Sequence, residues 1–184
     1  MASGVPPASA VADALPVQGG GSAAIVPDLN LPVKRFALCT LALLLSLVSS
    51  LRAAEPISPT ALDAYYKIAD ALASDSTKRV VENARAFAAA VKDPMLQLAA
   101  TNVAAATQVD LGKTREMFKM LNSVLANGIK FGDYSLEQGT TYRAYCPMER
   151  ADWLQANKEP IRNPYHGSEM LTCGEVVETY AAKK

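Results

Sequence analysis

The hydrophobic and polar positions of this chain change rhythm twice, and each change marks a boundary. Between Phe36 and Val48 the residues are almost all apolar and none is charged. From Ser58 to Lys130 apolar residues recur at helical spacing, and from Gly132 onward that period is lost. In the middle region Ser58-Pro59 supplies an N-cap and a proline suited to the first helical position. Leu62, Tyr65, Tyr66, Ala69 and Leu72 then line one helical face. Ser74-Asp75-Ser76 breaks that helix and offers a cap for the next, whose stripe is Val80, Ala84, Phe87 and Val91. Asp93-Pro94 reads as a stop signal. Met95 to Ala106 is alanine-rich and suits a short buried helix. Asp110 can cap a fourth, carrying Leu111, Phe118, Leu121, Leu125 and Ile129, with Gly128 and Gly132 framing its end.

Past Gly132 the residues become Tyr, Thr, Cys, Pro, Trp and Asn. Thr140 to Cys146 and Glu175 to Tyr180 alternate well enough for short strands, with a proline- and glycine-punctuated loop between them. A loop of that length without its own core usually has a task. The expected fold is mostly α: an antiparallel helical bundle of about four helices with a C-terminal, loop-rich β-hairpin module. Residues 55–184 form one domain in this reading, with the Cys/Met module at 140–180.

The N-terminal rhythm has another meaning. Lys34-Arg35 precedes the uncharged apolar run, small residues follow it, and Ala53-Ala54 offers a cleavage point. That order is a secretory signal peptide over residues 33–54, and the run is short for a membrane span. The expected location is therefore the periplasm, with no membrane span after cleavage. Residues 1–32 are rich in Ala, Gly, Pro and Ser and nearly uncharged, so they cannot build a core. They read as a disordered or non-native leader, because Val33-Lys34-Arg35-Phe36 would be an ordinary start for an exported chain. Cys39 lies inside the apolar run and would be removed with it, leaving Cys146 and Cys173 in an oxidising compartment.

Charge narrows the function. The 184 residues carry 18 basic and 18 acidic side chains, so no surplus basic face exists to displace counterions from a phosphate backbone. Glycine-rich phosphate loops and a Ser-His-Asp order are absent from the sequence, and an enzyme is not expected. Asp63, Asp70, Asp75, Glu82 and Glu116 read as solvated helix-surface carboxylates.

The distinctive chemistry lies between Cys146 and Cys173, which enclose Met148, His166 and Met170. Thiolate and thioether sulfurs are soft donors that favour Cu(I) or Ag(I), and imidazole also suits copper or zinc. Cys146 with Met148, and Met170 with Cys173, would make two short-range donor pairs. On spacing alone the same two cysteines read first as a disulfide, worth about 3–4 kcal/mol for a loop of that size, with the metal site second. A C-x₂-C pair is absent, so a zinc knuckle is not indicated. Tyr142, Tyr145, Trp153 and Tyr165 are expected to pack the loop onto the helices, Asn163-Pro164 to start a turn, and Arg162 to cap a helix end or pair locally.

These words have a counterpart. Tyr-Cys-Pro-Met at 145–148, Trp-Leu at 153–154, Ile-Arg-Asn-Pro-Tyr-His-Gly at 161–167 and Met-Leu-Thr-Cys-Gly-Glu-Val at 170–176 resemble the family named domain of unknown function 3347. The resemblance runs from about Tyr142 to Glu178. Similar modules occur as short exported proteins and at the C-terminus of some periplasmic adaptor subunits of copper and silver efflux pumps. It implies a helical bundle, heavy-metal handling, envelope efflux components as partners, and Cys146, Met148, Met170 and Cys173 as ligands. Two positions depart from the pattern. His166 stands where an aromatic residue is usual, and Glu149-Arg150-Ala151-Asp152 replaces a small, glycine-containing link.

Overall fold

The computed structural model describes residues 53–183. The expected signal peptide and the leader before it lie outside the described residues, apart from Ala53 and Ala54. Four helices follow one another: α1 (Pro59–Ala73), α2 (Val80–Ala90), α3 (Pro94–Ala106) and α4 (Leu111–Phe131). A short strand, β1 (Glu55–Ile57), precedes them and pairs in parallel with β2 (Tyr134–Leu136) just after α4. Then come β3 (Thr140–Cys146), β4 (Ala151–Gln155), a single 3₁₀ turn (Gly167–Met170) and β5 (Glu175–Ala181). The last three strands form one antiparallel sheet with β3 in the middle, in the order β4-β3-β5. The chain is thus mostly helical with a small C-terminal sheet, as expected. None of the described helices is long and apolar enough to cross a membrane.

Local chemistry explains the helix boundaries. Ser58 accepts a hydrogen bond from the Ala61 N–H at 3.2 Å, and Pro59 opens α1. Asp110 accepts from the Lys113 N–H at 2.6 Å and so caps α4. Asp93-Pro94 does not stop a helix; it starts one. The Asp93 carboxylate accepts from the N–H groups of Met95 and Leu96 at 2.8 and 3.0 Å, and Pro94 is the first residue of α3. An Asp-Pro pair serves as an N-cap followed by N1, and here that use prevails. The expected cap for α2 also differs. Its N-cap is Arg79 in the left-handed region, without a side-chain cap, while Asp75 bonds elsewhere. Gly128 lies in the last turn of α4, where a Cβ would overlap the ring of Tyr134. Gly132, at φ 87°, ends the helix.

Each helix packs chiefly on the next, and α1 meets α4 only slightly; β4 lies against α4 and, to a lesser extent, α1. One core therefore runs from the helices into the sheet. Tyr65, Phe87, Phe118, Leu121 and Leu125 share it with Trp153 and Leu154, all fully buried. At about 25 cal/mol per Å² of apolar area, these large side chains dominate the burial term. Ala151–Gln155 was expected to be loop. It is a strand because β3 offers it a complete antiparallel partner, from Tyr142↔Gln155 to Cys146↔Ala151.

Candidate metal centre

Cys146 is the last residue of β3, and a turn carrying Pro147, Met148, Glu149 and Arg150 joins it to β4. Cys173 lies just before β5. Pairing of β3 with β5 begins at Tyr145↔Glu175, so the sheet brings both cysteines to one end. Their Sγ atoms are 3.4 Å apart, and both thiols are free. Cys146 is fully buried and Cys173 half-buried. The Glu149 N–H points at the Cys146 sulfur at 3.5 Å, and a backbone hydrogen bond from Met148 reaches Cys173. Its hydrogen bond with Cys146, followed by partial burial, pushes the Cys173 thiol above its ordinary pKa; the Met148 bond opposes this.

Asn163 holds this arrangement from beneath. It is fully buried, and its amide Nδ2 donates to the Cys173 carbonyl at 2.9 Å. Its Oδ1 accepts from the N–H groups of Tyr165 and His166 at 2.8 and 3.3 Å. Its own N–H donates to the Leu171 carbonyl at 2.7 Å. One side chain thus ties both limbs of the loop together and fixes the backbone of Cys173. The expected turn at Asn163-Pro164 is real, but its side chain does more than start it. Tyr165, also buried, stacks edge-on against Trp153 and donates its hydroxyl to the Asp152 carbonyl. Burial raises its pKa well above the usual value.

The loop is fastened to the helices by charge. Arg115 of α4 donates to the Pro164 carbonyl at 2.9 Å, to the Leu72 carbonyl at 2.8 Å and to Asp75 at 2.7 Å. Asp75 also accepts from the hydroxyl and the N–H of Ser168. Its carboxyl is held down to about 2, first by the Ser168 hydroxyl and then by Arg115. Gly167, at φ 58°, leaves no room for a Cβ beside Asp75 and Arg115. Arg162 pairs with Asp70, 92 positions away, and donates to the Ser74 hydroxyl. It is Arg115 that reaches a carbonyl at the end of α1, so the local pairing or helix-end cap expected of Arg162 is not what it makes. Asp70 and Asp75 are therefore fasteners as well as surface carboxylates. Arg115, Asp75 and Asn163 went unrecognised as site-building residues, because each has a partner 10 to 93 positions away.

The other sequence-expected ligands lie on the segments that adjoin the cysteines in the chain. Met148 is largely exposed on the Cys146 turn. Met170 is half-buried in the 3₁₀ turn, and its carbonyl accepts from the Cys173 N–H at 3.0 Å. Each methionine is thus held by its backbone within two or three positions of a cysteine. His166 has a buried Nε2 without a hydrogen-bond partner, 3.6 Å from Glu149 Oε2. Glu149 in turn pairs with Lys119 at 2.9 Å. Among the described residues no group of three or more His, Cys, Asp or Glu side chains has metal-holding geometry. Thiol sulfurs are soft donors, whose chemistry suits a soft monovalent cation rather than a hard one. Comparison with protein-family models, curated proteins and solved structures gives no match.

Proposed function

We propose that the chain is an exported periplasmic protein that binds Cu(I) or Ag(I) through Cys146 and Cys173, buffering the metal or passing it to an envelope efflux system. The observation that carries this reading is the meeting of two free thiols, 27 positions apart in sequence, at 3.4 Å. A metal–thiolate bond of about 2.3 Å places two sulfurs about 3.8 Å apart at a tetrahedral ion and about 4.6 Å apart at a linear one. The pair needs to open by only about 0.4 Å for the tighter geometry. Met148 and Met170 sit on the flanking turns with three side-chain torsions each, free to complete the coordination. Ligand exchange between soft sulfurs then gives a route for transfer. The resemblance of Tyr142 to Glu178 to domain of unknown function 3347 points the same way, as does the signal-like segment. β1 begins at Glu55, so cleavage at Ala53-Ala54 would remove no described strand or helix. The helices are read here as an antiparallel bundle whose task is to hold the sulfur end rigid.

Metal binding must displace a proton from each thiol. Because the Cys173 pKa is raised, apparent affinity should grow as pH rises through neutrality. Reduced protein titrated with Cu(I) against a competing chelator tests the reading. The Cys146→Ser, Cys173→Ser double variant should lose the high-affinity phase; affinity unchanged in that variant rules out this site.

The same separation favours a second reading, a Cys146–Cys173 disulfide that staples an interaction module with no metal. A disulfide needs the sulfurs to close by about 1.4 Å, a modest side-chain rotation. Mass spectrometry of protein from its native compartment separates the two: a two-hydrogen deficit means the staple, free thiols mean a protected site.

A further inference from the structure

We propose a second soft-metal site, built from thioethers alone, at Met95, Met117 and Met120. The three side chains line one cavity of about 150 Å³ between α3 and α4, walled by Leu98 and Val124 and carrying Asn102 as its polar member. Met117 and Met120 are one turn apart on α4 and share a face. Met95 reaches the same cavity from the first turn of α3.

Exposure makes these residues unusual. Met95, Leu98 and Met120 are 59%, 56% and 58% exposed; among the described residues Val109, Phe131, Met148 and Val177 are also exposed, but only these three share one opening. Met117 is half-buried against the core, while Met95 and Met120 stand largely exposed at the same opening, where they contribute little to folding. They do present three polarisable donors that select Cu(I) or Ag(I) over hard cations. The lining contains no carboxylate or imidazole. Nearby charges are already engaged, Glu116 with Lys113 and Lys119 with Glu149. A harder cation such as Ca²⁺ or Zn²⁺ therefore finds no suitable donor set.

The site complements the cysteine pair instead of repeating it. Thioethers carry no proton to lose and form no disulfide, so occupancy would be insensitive to pH near neutrality and to thiol oxidation. Met117 and Met120 also line a wider groove bounded by Glu149, Arg150 and Asp152. That groove runs to the β3–β4 turn that follows Cys146 in the chain.

The test uses Ag(I), which is redox-inert, and the Cys146→Ser, Cys173→Ser chain, so it does not depend on the thiol reading. Methionine methyl groups are labelled and followed by NMR as Ag(I) is added. One equivalent should shift the methyl signals of Met95, Met117 and Met120, with those of Met148 and Met170 unchanged. Met117→Leu and Met120→Leu keep volume and apolar character, so they preserve folding. Each should weaken binding at least tenfold. Three results would overturn the site: no saturable shift, a shift confined to Met148 and Met170, or binding that survives in the triple leucine variant. The last would place the bound ion on donors other than these thioethers.

Discussion

The helical half and the sheet-and-loop half of this molecule are held together by different physics. Between α1 and α4 the fold rests on apolar side chains at period 3.6: Tyr65, Phe87, Leu96, Phe118 and Leu125 have no exposed surface. Most of the work is non-directional, and neighbours in space are helices adjacent in sequence. Between Cys146 and Cys173 the backbone is instead fixed by directional bonds from single polar side chains, Asn163 above all, with Arg115 and Asp75 as anchors. Tyr65 bridges the two regimes. Its ring packs on Phe118 within the core, and its hydroxyl donates to Asn122 while accepting from the Leu154 N–H. Burial raises its pKa well above the usual value, so it remains a neutral hydroxyl able to do both. The helices therefore supply stability, and the polar pins supply the position of the sulfurs.

If that division holds, two substitutions should separate it. Phe87→Ala empties a fully buried helical position and should cost about 3–5 kcal/mol in denaturant unfolding. The rate at which the native protein forms the Cys146–Cys173 disulfide with a mild oxidant should stay within twofold of the parent. Asn163→Ala strands one buried carbonyl and two N–H groups and should cost about 2–3 kcal/mol. In that variant the disulfide rate should fall at least tenfold, because the Cys173 backbone loses its tether. Equal slowing in both variants would abolish the distinction.

The same division explains what could be read from the sequence. Ser58-Pro59 and Asp110 disclose their helices because a cap acts on residues within three positions. Thr140–Cys146 is legible because threonines and tyrosines, residues that favour strands, fill most of a short run with buried and outward positions interleaved. Ala151–Gln155 is not, because Trp153 and Leu154 are buried side by side and spoil the period of two. β1 and β2, three residues each, are too short to show any period. For the candidate site, the sulfur positions are visible as words in the chain. The residues that hold them are not: Asp75 looks like a helix cap beside α2, and only the folded loop shows that Ser168 and Arg115 claim it. Met95, Met117 and Met120 were hidden for the converse reason, since methionines in helices ordinarily read as core filler.

A smaller effect should appear where the two halves touch through a glycine. Gly128 lets the Tyr134 ring lie directly on α4, seating β2 at the helix end. Gly128→Ala improves helix propensity by about 1 kcal/mol but pushes that ring aside, at about 1–3 kcal/mol. The net loss should be about 1 kcal/mol in urea unfolding. Tyr134→Ala in the same background should allow the helix gain to show. Additive effects of the two changes would mean that the ring does not sit where the alanine methyl would go.

The smallest effect concerns protons at the fastening of the loop. The Asp75 carboxyl is depressed to about 2 against an ordinary value near 4, so its bonds to Ser168 and Arg115 favour the folded state whenever it is ionised. That contribution is complete above pH of about 4 and is lost as pH falls toward 2. Glu178 is depressed to about 2 as well, chiefly by the Tyr180 hydroxyl and Lys130, so global acid unfolding would mix the two. A local readout separates them. Hydrogen exchange at the Ser168 amide, corrected for intrinsic rate, should lose protection between pH 4 and pH 2 before the amides of α2 do. Asp75→Asn should flatten that pH dependence at Ser168 and leave it intact at Glu178. If Ser168 and α2 lose protection together, the loop is held by the core after all, and the polar pins do not form a separate layer of control.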